Sequence, residues 1–254
     1  MAPDTPDDEL RMTLMEHLME LRDRIIKAGL ALLAGMVVSV FFTRDFLELL
    51  VAPLGNRSEL QTLKPAENII VFFKAALVLG AVIAMPVIFY QFMAFITPGL
   101  TKEEKRALLY IVPAATILFA TGVGFSAFVM LPFTLGYLQT FLSDLFQPNY
   151  SVDYYISFVT NFVLAIGGAF ETPLVIAFLA RLGFVSPKGL ASGRRYAIVI
   201  IALLAAVITP TPDPFNMMLV MAPLLLLYEF GILLARVTYR PRPSYTSETT
   251  SGSS

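Results

Sequence analysis

Residues 69–95 read IIVFFKAALVLGAVIAMPVIFYQFMAF, 27 positions with a single charge, Lys74. As an α-helix this stretch rises about 40 Å, more than the ~30 Å of a bilayer's hydrocarbon core. It reads as a membrane span, and it does not stand alone. Comparable apolar runs occupy Ile25–Phe42, Ala107–Phe133, Tyr154–Leu182, Tyr196–Ile208 and Phe215–Ala235. The expected fold is therefore an all-α polytopic membrane protein of six transmembrane helices. An acidic, disordered segment 1–12 precedes a transmembrane domain 13–236, and a polar, disordered tail 237–254 follows it. Tyr196–Ile208 is the weak case: 13 residues rise only about 20 Å, so its flanks extend it or the bilayer thins around it.

Composition agrees. The chain is 57% hydrophobic and 15% charged, where a soluble domain is nearer ~45–50% and ~25%. A net charge of −1 gives no field to attract nucleic acid. The absence of cysteine excludes disulfides and thiolate metal sites. A single histidine, His17, excludes a zinc site built on two histidines. No cofactor motif is present, neither a phosphate loop nor HExxH nor GxSxG, so an enzyme is not expected. The acidic, proline-containing start does not read as a secretory signal.

Lysine and arginine set the expected orientation. Fourteen of the eighteen lie on one side: the N-terminal segment, the second-to-third and fourth-to-fifth loops, and the tail. The positive-inside bias places both termini in the cytoplasm. Pro86, Pro113, Pro173 and Pro223 fall inside spans and should bend them, giving a curved, cupped bundle. Gly122, Gly124, Gly167 and Gly168 mark expected close helix approaches.

A few polar residues stand out. In TLMEHLMELRDRI (13–25), leucines at helical spacing give an amphipathic helix running into the first span. Thr13 with Glu16 fits a capping box, and Glu20–Arg24 and Asp23–Lys27 fit helical ion pairs. Thr101 with Glu104 fits a second capping box in TPGLTKEEKR (97–106). Glu171 lies deep in the fourth span, where a charge costs at least ~2.5–3.5 kcal/mol. It must face the protein interior, a wet cavity or a partner helix, or stay protonated. Glu229 is a similar case nearer the cytoplasmic end, and Gln91 and Asn161 are candidate interhelical hydrogen-bonding groups. In ITPTPDPF (208–215), Asp213 before Pro214 reads as a helix N-cap. A proton-coupled secondary transporter using Glu171 is the alternative these residues permit. The missing internal repeat counts against it.

Together the motifs resemble the TatC family, the multispanning core of the twin-arginine protein translocase. EHLMELRDR (16–24), VAPL (51–54), FYQFMAFITPGLTKEEKR (89–106), FETPLVIAFLARLGFVSP (170–187) and ITPTPDPF carry the resemblance, in order, from about Leu14 to Arg236. The resemblance implies a receptor for the twin-arginine signal peptides of folded cargo in a prokaryotic inner membrane. It implies binding through Glu20 and Glu104, with Leu100 and Arg22 beside them. Glu171 would line a concave face that meets partner helices, and Pro53 and Asp213 would match external positions important to transport. Single-span proteins of the TatA and TatB type, the lipid bilayer and further copies of the chain are the implied partners. The protonmotive force is the implied energy source. The chemistry is consistent: a guanidinium fork suits a carboxylate in a way that a lysine ammonium does not.

Overall fold

The computed structural model describes residues 14–55, 60–96, 102–141, 143–145, 149–209 and 213–239, without the side chains of residues 14 and 102–109. The capping threonines Thr13 and Thr101, residues 1–12, most of the tail and the centre of the 208–215 turn lie outside that set. The described chain is almost all helix: α1 (Leu14–Ser39), α2 (Thr43–Val51), α3 (Glu67–Ile96), α4 (Lys102–Phe125), α5 (Leu131–Thr140), α6 (Val152–Ala169), α7 (Thr172–Arg181), α8 (Pro187–Ser192), α9 (Arg194–Ile208) and α10 (Pro214–Thr238). Two-residue strands β1 (Leu60–Gln61) and β2 (Tyr150–Ser151) pair in parallel, Leu60 with Tyr150 and Gln61 with Ser151.

Four helical stretches among the described residues are long and apolar enough to cross a membrane: Glu67–Ile96, Tyr110–Thr140, Val152–Arg181 and Pro214–Thr238. A fifth results if α1 is joined to α2 and the turn after it, two pieces bent by 81°. The fifth expected span, Tyr196–Ile208, is the 15-residue α9, which rises about 22 Å and falls short of the hydrocarbon core. The first expected span starts well inside α1, since the amphipathic segment and the apolar run form one continuous helix. A π-helical turn at Ser126–Met130 joins α4 to α5, so the third span continues to Thr140. The fourth is interrupted at Phe170–Glu171, directly before Pro173, whose ring cannot follow a regular helical turn. Pro86, Pro113 and Pro223 lie within continuous helices.

α1 packs antiparallel on α3, as successive contacts show: Arg24 with Gln91, Gly35 with Gly80, and Ser39 with the Ala76 carbonyl. The approach is backbone to backbone, for a Cβ on Gly80 would lie 2.6 Å from the Met36 Cα. Gly122 and Gly167 perform the same service between α4 and α6; a Cβ on Gly122 would lie 2.7 Å from the Phe170 ring and 3.0 Å from the Gly167 Cα. Gly124 and Gly168 do not, since nothing lies within 4 Å of a Cβ at either. Their neighbours in sequence carry the close contact, and a helix turns consecutive residues to different faces.

α6 is the central element. Half of its span with α7 is buried, against a third or less for the other three. Ile156, Val159, Phe162 and Val163 are wholly enclosed, packed with Leu50, Met130, Leu131 and Leu135. The outer surfaces remain apolar: Leu30, Leu33, Val37, Leu203, Val207 and Leu226 are all more than half exposed or nearly so. In water such a surface would aggregate, whereas lipid solvates it without penalty.

The two ends of the bundle differ. At one end α1 begins, α3, α7 and α10 finish, and Arg181, Lys188, Arg194, Arg195 and Arg236 collect. At the opposite end Glu67, buried to 2% exposure, gathers the chain. Its carboxylate accepts from the Leu63 and Lys64 amides at 2.6 and 2.9 Å, from the Ser151 hydroxyl at 2.5 Å and from the Asp153 amide at 2.9 Å. Nearby, Lys74 Nζ donates to Asp153 and Ser157 at 2.5 and 2.6 Å. That contact supplies a counter-ion to the one charge of the 69–95 stretch.

Candidate functional site

The first candidate site lies at the basic end. His17, Glu20, Leu21 and Arg24 share the half-buried face of α1 that turns to α3, whereas Leu18 and Ile25 of the expected apolar stripe are exposed. Arg24 forks: one terminal nitrogen donates to Glu20 Oε1 at 3.2 Å and the other to Gln91 Oε1 at 3.1 Å. His17 stacks on Phe95 with ring centroids 4.4 Å apart. These two contacts fix the start of α1 to the end of α3. The Glu20 side chain is only 16% exposed, and its Oε2 is buried without a hydrogen-bond partner. A carboxylate with one oxygen engaged and the other idle retains acceptor capacity for a cation. Arg22, by contrast, points outward and pairs with its neighbour Asp23 at 2.9 Å. That pairing replaces the expected Asp23–Lys27 contact.

Glu104 falls in the first turn of α4; its side chain, like Leu100, lies outside the described residues. The backbone still constrains it. Residues 97–101 link α3 to α4, and five residues reach at most ~18 Å, whereas α3 is about 45 Å long. The turn bearing Glu104 is therefore tethered to the end where Glu20 sits.

The second candidate site surrounds Glu171. The break after α6 places it between helices, its amide bonded to the Gly168 carbonyl at 3.1 Å. It is 6% exposed, the Phe119 backbone lies beside it, and among the described residues neither carboxylate oxygen has a well-formed hydrogen bond. It lines a cavity of about 170 Å³ whose other walls are apolar, including Phe92, Met93, Ile111, Leu174 and Phe178.

Glu229 is different. Arg194 grips it with Nε to Oε1 at 2.6 Å and Nη2 to Oε2 at 2.8 Å, an ion pair joining α9 to α10 at the basic end. Gln91 is likewise engaged, by Arg24, and Asn161 is exposed on α6. At the opposite end Pro53 is the second residue of the 3₁₀ turn Ala52–Leu54, which closes on Gly55 at φ 72°. Asp213 caps α10, accepting from the Asn216 amide at 2.9 Å and its side-chain nitrogen at 2.8 Å. The Glu67 cluster and the Lys74–Asp153 pair are absent from the sequence reading. Lys74 within an apolar run was the one signal for them, because a buried cation requires a counter-ion.

A family description, the Sec-independent protein translocase protein TatC, matches residues 16–223. The TatC protein of Aquifex aeolicus is 41% identical over 236 residues, covering 91% of this chain and 98% of that protein. The TatC protein of Deinococcus radiodurans is 38% identical over 239 residues, covering 91% and 88%. Among solved structures, a crystal structure of the twin arginine translocase receptor TatC superposes with a TM-score of 0.78 at 42% identity, covering 89% of this chain and all of that one. This chain belongs to the TatC family of Sec-independent protein translocase proteins.

Proposed function

We propose that the chain is the signal-peptide receptor and scaffold of a twin-arginine translocase in the inner membrane of a prokaryote. As a TatC-family member it is a protein-translocase component, a transport role without catalysis. The alternative of a proton-coupled solute carrier finds no support among its relatives. The single observation that carries the receptor reading is Glu20, a carboxylate held by Arg24, which is itself anchored on Gln91, with its second oxygen unpartnered among the described residues.

In this reading six helices cross the membrane, α9 being the short fifth, and both termini face the cytoplasm. Glu20 and Glu104 meet the two guanidinium groups of the signal, with Leu100 and Arg22 bordering the site. An exposed ion pair contributes only ~0–1 kcal/mol, so the apolar part of the signal must pack along the helices to give useful affinity. Glu171 receives a polar group from a TatA- or TatB-type helix, and Pro53 and Asp213 shape the external face. Further copies of the chain join it in a receptor complex, and the protonmotive force drives transport.

Photocrosslinkers placed at positions 20 and 104 should capture a twin-arginine peptide and capture its twin-lysine variant poorly. Glu20→Ala combined with Glu104→Ala should abolish capture from a third position such as Met19. Undiminished capture by a correctly inserted double variant would end this reading.

A further inference from the structure

We infer that Arg181 anchors an anionic phospholipid, with the phosphate held at the basic end of the bundle and an acyl chain running toward Glu171. Arg181 closes α7. Among the described residues its buried Nε has no hydrogen-bond partner and the guanidinium has no ion-pair partner. Arg24 and Arg194, at the same end, are each matched to a glutamate. Nor is Arg181 needed to cap its own helix. The Phe178, Leu179 and Ala180 carbonyls already accept from the Leu182, Phe184 and Gly183 amides, with Gly183 at φ 71° making the turn. A guanidinium is permanently charged and carries five donors, so this one is left seeking an anion.

The space beside it suits an amphiphile. Arg181 lines a cavity of about 190 Å³ with Tyr110 and Thr238. That cavity shares Ile111, Leu174 and Phe178 with the apolar cavity below Glu171. Tyr110 is 75% exposed, an amphipathic ring at the level where tyrosines border membranes, and its phenol can donate to a phosphate oxygen. The Thr238 hydroxyl donates to the Ala177 and Leu234 carbonyls and does not compete. The ten residues of α7 rise about 15 Å, the depth of one leaflet's hydrocarbon. A headgroup at Arg181 thus directs its chain along the shared wall to the carboxylate. Free phosphate would leave the apolar cavity unused. A zwitterionic lipid would bring its own cation up against Arg181.

Native mass spectrometry on the intact chain, reconstituted in phosphatidylcholine with added phosphatidylglycerol, tests this directly. Phosphatidylglycerol should be retained on the wild type, and Arg181→Gln should weaken retention about tenfold, the size expected for losing a charge-assisted bond. Arg181→Lys should fall between, keeping the charge and losing the fork. Leu174→Trp, which fills the shared wall and leaves every charge in place, should also weaken retention. It stands in if the Arg181 variants fail to fold. Arg195→Gln, exposed and lining neither cavity, should retain lipid as the wild type does. Unchanged retention in both Arg181→Gln and Leu174→Trp overturns the site. Equal loss in Arg195→Gln overturns it too, as diffuse attraction. Displacement by glycerol 3-phosphate, an anion without a chain, overturns the lipid assignment.

Discussion

Glu171 and Glu67 are both nearly sealed from solvent, and they do opposite things. Glu67 accepts four hydrogen bonds from two separate segments, 63–64 and 151–153, so its charge is well compensated. Glu67→Gln turns an acceptor into a donor against backbone amides. It should cost about 1–3 kcal/mol, seen as a lowered melting temperature in detergent. Glu171 accepts no well-formed bond among the described residues. Glu171→Gln should leave that melting temperature unchanged or raise it, because an uncompensated carboxylate in an apolar site is a burden on the fold. Export of a folded reporter should nonetheless fall, and a stability loss matching that of Glu67→Gln would show that Glu171 is structural after all.

The same pair marks how far the sequence can be read at this scale. Glu171 and Asp213 were legible because each is a local anomaly, a charge in an apolar run or an oxygen at a helix start; Glu20 stood out only by its helical pairing with Arg24 and by the resemblance. Glu67 sits in an unremarkable loop-to-helix junction. Its partners Ser151 and Asp153 lie 84 and 86 positions away, and no local pattern announces them. The Arg24–Gln91 bond is hidden for the same reason. Its helical half, Glu20–Arg24, could be read from spacing, and its tertiary half could not.

At the scale of helices, close packing rather than hydrophobicity must join the elements, since lipid solvates an apolar face as well as another helix does. The Gly35–Gly80 crossing is the tightest such joint between α1 and α3. Gly80→Ala should force the two backbones apart and cost about 1–3 kcal/mol, read as a lowered melting temperature. Gly124→Ala meets open space and should be neutral or slightly stabilising through helix propensity. If both variants behave alike, the two backbones have room to separate at this crossing. Sequence flagged four glycines on α4 and α6, of which two carry contact, and passed over Gly35 and Gly80. A glycine in an apolar run says that approach is possible; only the rotation of both helices says whether it happens. Helix existence was legible throughout, because long apolar runs have no other stable form in a bilayer. The break at Phe170–Glu171 was signalled by Pro173, and the 81° bend after Ser39 was not.

For the whole molecule, a charged end and an apolar girdle define how the protein must sit. The chain lacks cysteine, so single introduced cysteines report cleanly. Lys188→Cys at the start of α8 should react with an impermeant maleimide only after the cells are opened, and Ser143→Cys should react in intact cells. The reverse pattern would invert the proposed topology and remove the proposed cytoplasmic site with it. The expected orientation rests on lysine and arginine asymmetry, a summed property of many positions that does not depend on any one of them.

The wide turn at Ser126–Met130 has a consequence for how the chain tolerates length changes. A π-helical turn is an α-helix carrying one surplus residue. Removing Phe128, which points outward at 66% exposure, should therefore let the stretch relax to ordinary winding while Phe119 before it and Leu135 after it keep facing α6. Deleting one residue from the regular part of the same rod, such as Ile117, has no such slack to absorb it. It would spin everything beyond by about a hundred degrees and turn the buried side outward. A variant lacking Phe128 that inserts and exports, beside one lacking Ile117 that does neither, would identify this turn as a spare link in the chain.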